Sequence, residues 1–261
     1  MRIIPSVALA VTASAFLAAA CSVKEDRISC PCLLVLDFAE VDPSLEGKTG
    51  LMVSASEGVV LSDELDLQKY RGTRYMAPVP RTELDLSLWL GGEDMTDASG
   101  LEIPYGEDCP EVYMYNSSFT SSGEKHEEMV HLYKNHCRMT IYAEGEVSVP
   151  LSMTVEGTVS GYDRDGTPRD GGFGYALDFA DLSEGREVVL PRQKDSSLKL
   201  VIDDRKENVK VFALGHYLES GGYDWTSPDL EDVSITIDFA LTEIRLAVKG
   251  WDSVYTYEID F

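Results

Sequence analysis

The chain has 261 residues, of which 46 are Asp or Glu and 22 are Lys or Arg, so its formal net charge at pH 7 is −24. A surface this acidic repels phosphate backbones and anionic lipid headgroups. The composition therefore argues against nucleic-acid binding and against a basic patch that docks on a membrane. The length is sufficient for one large domain or for two domains of ordinary size.

The N-terminus has the pattern of a bacterial lipoprotein signal peptide. A single charge at Arg2 precedes an apolar run over residues 3–16, and Leu-Ala-Ala-Ala at 17–20 leads directly to Cys21. A membrane-spanning helix is the alternative, but the run is Ala-rich and lacks a basic stop-transfer flank. We predict that residues 1–20 are removed and that the Cys21 thiol, the nucleophile in lipid transfer, carries a diacylglyceryl group. Two or three acyl chains, at about 0.8 kcal/mol per buried methylene, give stable anchoring.

Residues 21–30 are predicted to form a tether between the lipid and the folded protein. Within it, Lys24-Glu25-Asp26 resembles the short export signal of surface-exposed lipoproteins in Gram-negative anaerobes, although a solvated charged segment has the same composition. We therefore expect a lipid-anchored protein of the outer membrane that faces the cell surface.

Four further cysteines, Cys30, Cys32, Cys109 and Cys137, are available for disulfides in an exported protein. They allow three pairings, which the sequence does not separate. Cys30-Pro31-Cys32 has one intervening residue, whereas zinc knuckles and thioredoxin motifs have two. Cys32 and Cys137 share the apolar face of their predicted strands, so we expect them to be buried, and bridged or inert.

Alternation of apolar and polar residues dominates the chain from residue 32 onward, which indicates strands with one face in a core. The alternation is clearest over 84–90, 198–202, 233–239 and 244–248. Turn-forming clusters of Gly, Asp, Pro and Ser separate these runs. Helix is expected only as a turn or two within 62–69 and 228–232.

Many short strands in a chain of this length predict an all-β protein with two β-sandwich domains in series. The boundary is placed in the turn 143–146, after the runs 127–133 and 137–142, which are interpreted as a pair of strands. The predicted domains are therefore 31–146 and 147–261.

The spacing of the candidate catalytic and metal-binding residues along the sequence does not predict that they come together in one site. Three of the four histidines, at 126, 131 and 136, are five residues apart, a spacing that does not converge on a metal. The spacing of Asp163, Asp165, Gly166 and Asp170 resembles part of a calcium loop. The closing Glu of such a loop is missing, which favours a β-turn. No nucleophile elbow, phosphate loop or dinucleotide fingerprint is present, and we expect no enzyme, metal or cofactor.

Several segments resemble the lipid-anchored minor fimbrillin family, the anchoring subunits of type V pili. They are Cys21 with Cys30-Pro31 and the strand 33–38, the segments 129–134, 221–225 and 230–232, and the C-terminal strand. The resemblance covers nearly the whole mature chain. It implies two tandem transthyretin-like β-sandwich domains, a place at the base of a fimbrium, and fimbrial stalk or accessory subunits as partners.

Pilus subunits of this kind join by strand addition, in which an extended segment of one subunit completes a sheet of the next. In stalk subunits of the family, a protease cuts after Arg or Lys and releases the first strand. Here the first strand, 32–38, begins only eleven residues after Cys21. We predict that Arg27 is not a processing site and that this strand stays in its own domain. Arg71 and Arg74 form a second possible site, for which a basic surface turn is favoured.

The C-terminal strand is the predicted contact with a neighbouring subunit. One face of it carries Tyr255, Tyr257, Ile259 and Phe261. The strand could be donated to a neighbour or could close its own sheet, and closure is slightly favoured.

The alternative function is a surface glycan-binding lipoprotein, which would have the same export signal, lipid and β-sandwich modules. Glycan binding needs exposed aromatic platforms, and the candidates are Trp89, Trp225 and Trp251. No spacing gathers these three residues, so the fimbrial anchor is the leading hypothesis.

Overall fold

The computed structural model describes residues 30–92, 100–145, 151–181, 184–203, 209–239, 243–248 and 254–258. These residues form strands and two short helices, so the all-β prediction is confirmed. Several residues named above lie outside the described part of the chain, namely Cys21, Arg27, Trp251, Ile259 and Phe261, as does the predicted signal peptide.

The elements of the first half are β1 (Cys32–Asp37), β2 (Lys48–Ala55), β3 (Gly58–Asp66), α1 (Leu67–Tyr70), β4 (Arg74–Val79), β5 (Glu83–Leu90), β6 (Leu101–Glu102), β7 (Tyr113–Thr120), β8 (Lys125–Met129) and β9 (Tyr133–Lys134). Those of the second half are β10 (His136–Glu144), β11 (Leu151–Tyr162), β12 (Pro168–Phe179), β13 (Arg186–Pro191), β14 (Lys199–Asp203), β15 (Val209–Phe212), α2 (Leu214–Ser220), β16 (Val233–Asp238), β17 (Glu243–Val248) and β18 (Val254–Glu258).

The first module is a sandwich of a small sheet, in the order β4-β1-β8, and a larger sheet, in the order β3-β2-β5-β7-β9. Alternate residues of the strands point between the two sheets, as the period of two requires. The core of the module contains Leu34, Leu36, Val53, Leu86 and Leu88, each no more than 1% exposed.

The second module packs the sheet β13-β10-β16-β17-β18 against the sheet β12-β11-β14-β15, with β6 paired to β11. Its core also takes in Met52, Trp89 and Met114, which project from the larger sheet of the first module. The two modules therefore share a packed apolar interface.

The chain passes from the first module to the second at Asn135, before the predicted boundary at 146. Strand β9 pairs with β7 of the first module, whereas β10 pairs with β13 and β16 of the second. Strand β6 also joins the second module, although it lies within 31–146. The runs 127–133 and 137–142 do not pair, because β8 pairs with β1 instead. Alternation identifies a strand but does not identify its partner.

The helical turns differ from the expectation. Residues 62–66 belong to β3, and α1 begins only at Leu67, where the Asp66 carboxylate caps it by accepting from the Gln68 amide at 3.0 Å. Segment 228–232 contains no helix, and α2 forms at 214–220. With seven residues, α2 is too short to establish a helical period in the sequence.

Candidate subunit interface

Strand β1 occupies the middle of the small sheet in the first module. It runs antiparallel to β4 and parallel to β8. At its two ends, the Leu33 amide donates to the Glu124 carbonyl and the Val130 amide donates to the Asp37 carbonyl, each at 2.9 Å. Both edges of β1 are hydrogen-bonded, so its removal would leave an open slot between β4 and β8.

The inner face of β1 is part of the core. Cys32, Leu34 and Leu36 are all 0% exposed. Fully burying one Leu side chain contributes about 1.5–3 kcal/mol. Hydrophobic burial therefore holds β1 in the slot in addition to its two ladders of hydrogen bonds.

Arg74 crosses β1 on the outer face of the small sheet. Its Nε atom lies 2.9 Å from Asp37 Oδ2, and its Nη1 atom lies 3.2 Å from Glu127 Oε1. The guanidinium thus joins β4 to both β1 and β8. Arg71 donates to the Leu45 carbonyl. Both arginines are engaged within their own module, which favours the basic surface turn over a protease site.

A tyrosine–carboxylate hydrogen bond closes each open side of the first sandwich. On the β4 side, the Tyr75 hydroxyl donates to Asp63 Oδ2 at 2.9 Å. On the β8 side, the Tyr115 hydroxyl donates to Glu128 Oε2 at 3.0 Å. Burial is the main cause that raises both phenol pKa values, that of Tyr115 to about 12. The strands that flank β1 are therefore fixed to the opposite sheet by bonds that do not involve β1.

Glu128 is the centre of the closure on the β8 side. Besides the Tyr115 hydroxyl, it accepts from Ser117 Oγ at 3.1 Å and lies 2.9 Å from His126 Nε2. The His126 ring stacks on Phe119 with centroids 4.0 Å apart. No sequence signal gathers these residues, because β7 and β8 lie in different sheets and are not ladder partners.

Among the described strands, β18 lies at the end of its sheet and pairs with β17. Val254 is 64% exposed and Tyr255 is 38% exposed. Tyr257 is half-buried, and its hydroxyl donates to the Tyr217 carbonyl at 3.2 Å. In this structure the strand closes its own sheet.

The four cysteines outside the signal region are free thiols. The Cys109 amide donates to the Val189 carbonyl on one edge of β13, while Cys137 pairs with Leu190 across the other edge. This places the two cysteines about two strand spacings apart, roughly 9–10 Å, beyond the ~7 Å limit for a disulfide. Cys32 is buried in the other module, and Cys30 is exposed. Burial raises the pKa of the Cys137 thiol to about 12, so this thiol stays protonated and inert.

The other candidate residues do not converge on a site. Among the described residues, no three His, Cys, Asp or Glu side chains are grouped as metal ligands. Asp163 pairs with Arg169 at 2.9 Å, and Asp165 accepts from the Thr167 amide at 3.0 Å, in the turn between β11 and β12. Trp89 and Trp225 are 7% and 5% exposed, so neither is a surface platform.

Two of the family-like segments meet at the joint between the modules. The Lys134 amide donates to Asp229 Oδ1 at 2.7 Å, and the Leu230 amide donates to the Lys134 carbonyl at 3.1 Å. Arg192 donates from Nη2 to the Pro228 carbonyl at 2.9 Å and from Nε to Asn135 Oδ1 at 3.0 Å. These bonds connect the segment before β16 to the junction between the two modules.

No helix in the described ranges is long and apolar enough to cross a membrane. Two packed β modules, one with a filled strand slot and the other with β18 as the last described strand of one sheet, make this a two-module β-sandwich protein.

A family model described as "Fimbrillin-A associated anchor proteins Mfa1 and Mfa2" matches residues 82–257. The match spans more than half of the chain, so the chain belongs to this family, and the resemblance seen in the sequence is confirmed. It is accordingly a fimbrial accessory protein of the cell envelope. No curated protein matches the sequence.

Solved structures share the fold at low sequence identity. A proposed polysaccharide-binding protein of Bacteroides thetaiotaomicron superposes with a TM-score of 0.65 at 12% identity, over 88% of this chain and 98% of the other. A proposed adhesin of Bacteroides ovatus gives 0.62 at 12% identity, over 87% and 96%. The fimbrial anchor protein Mfa2 of Porphyromonas gingivalis gives 0.59 at 10% identity, over 85% and 98%.

Proposed function

We propose that this chain is the lipid-tethered anchor at the base of a type V fimbrium and that it joins the next subunit by β-strand addition. The observation that carries the proposal is that β1 fills the slot between β4 and β8 of its own sheet. We further infer that the two modules are transthyretin-like, that Cys21 carries the lipid, and that the protein faces outward from the outer membrane.

A slot that stays filled in the mature protein distinguishes an end subunit from a subunit in the middle of a fibre. Growth by strand addition requires each middle subunit both to accept a strand and to donate one. Here the acceptor position is taken by β1, which begins only eleven positions after the proposed lipid site at Cys21. A cut that emptied the slot would also remove the lipid. An intact N-terminus therefore makes the subunit a terminus of the fibre and holds it on the membrane.

The contact with the next subunit is assigned to the C-terminal strand. Among the described strands, β18 lies at the end of its sheet beside β17, and its residues Val254 and Tyr255 are exposed. Exposed edge amides are a template for pairing with another chain. Peeling the described strand away would lose the ladder to β17 and the packing of Tyr257 against the core.

The tryptophan residues do not support the alternative function, a glycan-binding lipoprotein. Trp89 and Trp225 lie in the core of the second module, where a glycan does not reach them. The fimbrial anchor is therefore the function that the described residues support best.

Two variants separate membrane retention from subunit contact. In the native host, Cys21→Ser is expected to release the protein from the outer membrane while a fimbrial subunit still copurifies with it. Deletion of residues 252–261 is expected to have the reverse effect: the protein stays folded and on the membrane but loses that subunit. Mass spectrometry of the mature wild-type N-terminus is expected to find an acylated Cys21.

Three results would overturn the proposal. One is a mature chain that begins beyond Arg27. Another is retention of the subunit by the deletion variant. The third is unfolding of that variant, because a strand needed for the fold is not available for donation.

A further inference from the structure

Tyr105 is a large aromatic side chain held in an exposed position beside the second module. Its residue is 67% exposed. The turn that carries it is fixed to β12 because the Gly106 amide donates to the Gly174 carbonyl at 2.7 Å. The Glu107 amide closes the same turn on the Pro104 carbonyl at 3.1 Å. The ring is therefore presented by a rigid turn and not by a free loop.

Glycines in β12 form the surface on which the ring lies. A Cβ atom at Gly174 would come within 2.3 Å of Tyr105 Cζ, so the ring covers this residue directly. A Cβ atom at Gly172 would meet only Tyr105 Cδ2, at 3.9 Å. The space above Gly172 is therefore open beside the ring. Glycine inside a strand weakens it and often marks a place where a ligand approaches the backbone.

Polar side chains line the sheet beyond the ring. Glu156 of β11 is the register partner of Gly174, and Lys199 of β14 is the register partner of Glu156. Neighbouring strands are about 4.8 Å apart, so the ring, the carboxylate and the ammonium group follow one another across roughly 10 Å of sheet. Thr158, two residues along β11 from Glu156, contributes a hydroxyl that lies 2.8 Å from Ser197 Oγ.

These groups select the charge and shape of a ligand. The charges of Glu156 and Lys199 balance each other, and the acidity of the whole chain repels anions. Carboxylate, ammonium and hydroxyl groups together both donate and accept hydrogen bonds. A flat, neutral ligand rich in hydroxyl groups satisfies all of them, and its C–H face can pack on the aromatic ring.

We propose that this surface binds a neutral saccharide, with one sugar ring in the open space above Gly172, packed against the Tyr105 ring, and with hydroxyl groups bonded to Glu156 and Lys199. The proposal does not depend on the anchor function, because the site lies in the second module, away from β1 and β18. The competing role for Tyr105 is structural, since an aromatic side chain can protect a glycine near a strand edge.

The test compares the full chain with three variants on a printed array of neutral oligosaccharides of glucose, galactose, mannose and their N-acetylated hexosamines. Bound glycans are then titrated by calorimetry. Tyr105→Ser removes the ring. Gly172→Val fills the open space; the Gly172 backbone is not in the left-handed region, so valine fits the strand. The matched control is Tyr142→Ser, since the Tyr142 ring is also exposed and also lies over a glycine, Gly185.

We expect the wild type and Tyr142→Ser to bind the same glycan, and both Tyr105→Ser and Gly172→Val to bind it about tenfold or more weakly, as for loss of one aromatic contact. Thermal unfolding of Gly172→Val is expected to match that of the wild type. Failure of the wild type to bind any glycan on the array overturns the proposal. Unchanged affinity of the Gly172→Val variant also overturns the proposal. That result assigns Tyr105 the structural role, even if the Tyr105→Ser variant is unstable.

Discussion

The first and last described strands, β1 and β18, have the same alternating pattern but are held in opposite ways. Strand β1 is paired on both edges, and its inward side chains are 0% exposed. Strand β18 is paired on one edge, and only Tyr257 on it is half-buried. Alternation predicts that each is a strand. The position of a strand in its sheet decides whether it can leave.

This contrast has an energetic meaning for assembly. Two fully buried Leu side chains in β1, at about 1.5–3 kcal/mol each, oppose its release. When an edge hydrogen bond is replaced by hydrogen bonds to water, the net loss of stability is about 0.5–1.5 kcal/mol per bond. A neighbouring chain that supplies an equivalent ladder can offset the loss of β18 from its own sheet. It cannot easily offset the loss of β1.

The largest expected effect follows from this difference in burial. Leu36→Ala in β1 is expected to lower the free energy of unfolding by about 2–5 kcal/mol, because it leaves a cavity in the core. Val254→Ala in β18 is expected to change it by no more than about 0.5 kcal/mol, because Val254 is 64% exposed. Urea unfolding of the two variants measures both values. Equal costs would show that the two strands are held alike and would remove the basis of the contrast.

A smaller effect is expected where the first sandwich is closed beside β8. Tyr115→Phe is expected to cost about 1 kcal/mol at neutral pH, because Glu128 loses one of its donors. The folded protein raises the Tyr115 pKa from 10.0 to about 12, so this contribution is complete below pH 10 and is lost as the pH rises through 12. Urea unfolding of both proteins from pH 8 to 12 should show the difference shrinking.

The control for that series is Tyr142→Phe, whose exposed ring predicts a change within about 0.5 kcal/mol at every pH. A constant difference between the wild type and Tyr115→Phe across the same range would mean that the Tyr115 phenol does not titrate with the proposed sign.

The sequence predicts the strand content and the buried face of β1, because both follow from local alternation. It also predicts that Tyr255 and Tyr257 share one face of the C-terminal strand. It does not predict that β1 lies between β4 and β8, since pairing depends on which distant strands are adjacent. The bonds from Tyr115 to Glu128 and from Arg74 to Asp37 depend on the same adjacency. For this reason, alternation identifies strands before the predicted boundary but not the module that each of them joins.

The smallest effect is expected at the ion pairs across the outer faces of the sheets. Arg74 reaches Asp37 and Glu127 across β1, and Arg245 on β17 reaches Glu144 and Asp238. Both guanidinium groups are partly exposed, so solvent screens these pairs and each Arg→Ala change is expected to cost no more than about 1 kcal/mol. Raising the salt concentration should reduce the free-energy cost of each Arg→Ala change further, because salt screens exposed charges. If Arg74→Ala cost more than about 2 kcal/mol while Arg245→Ala did not, the ion pairs of Arg74 on the outer face, and not burial in the core, would hold β1 in its sheet.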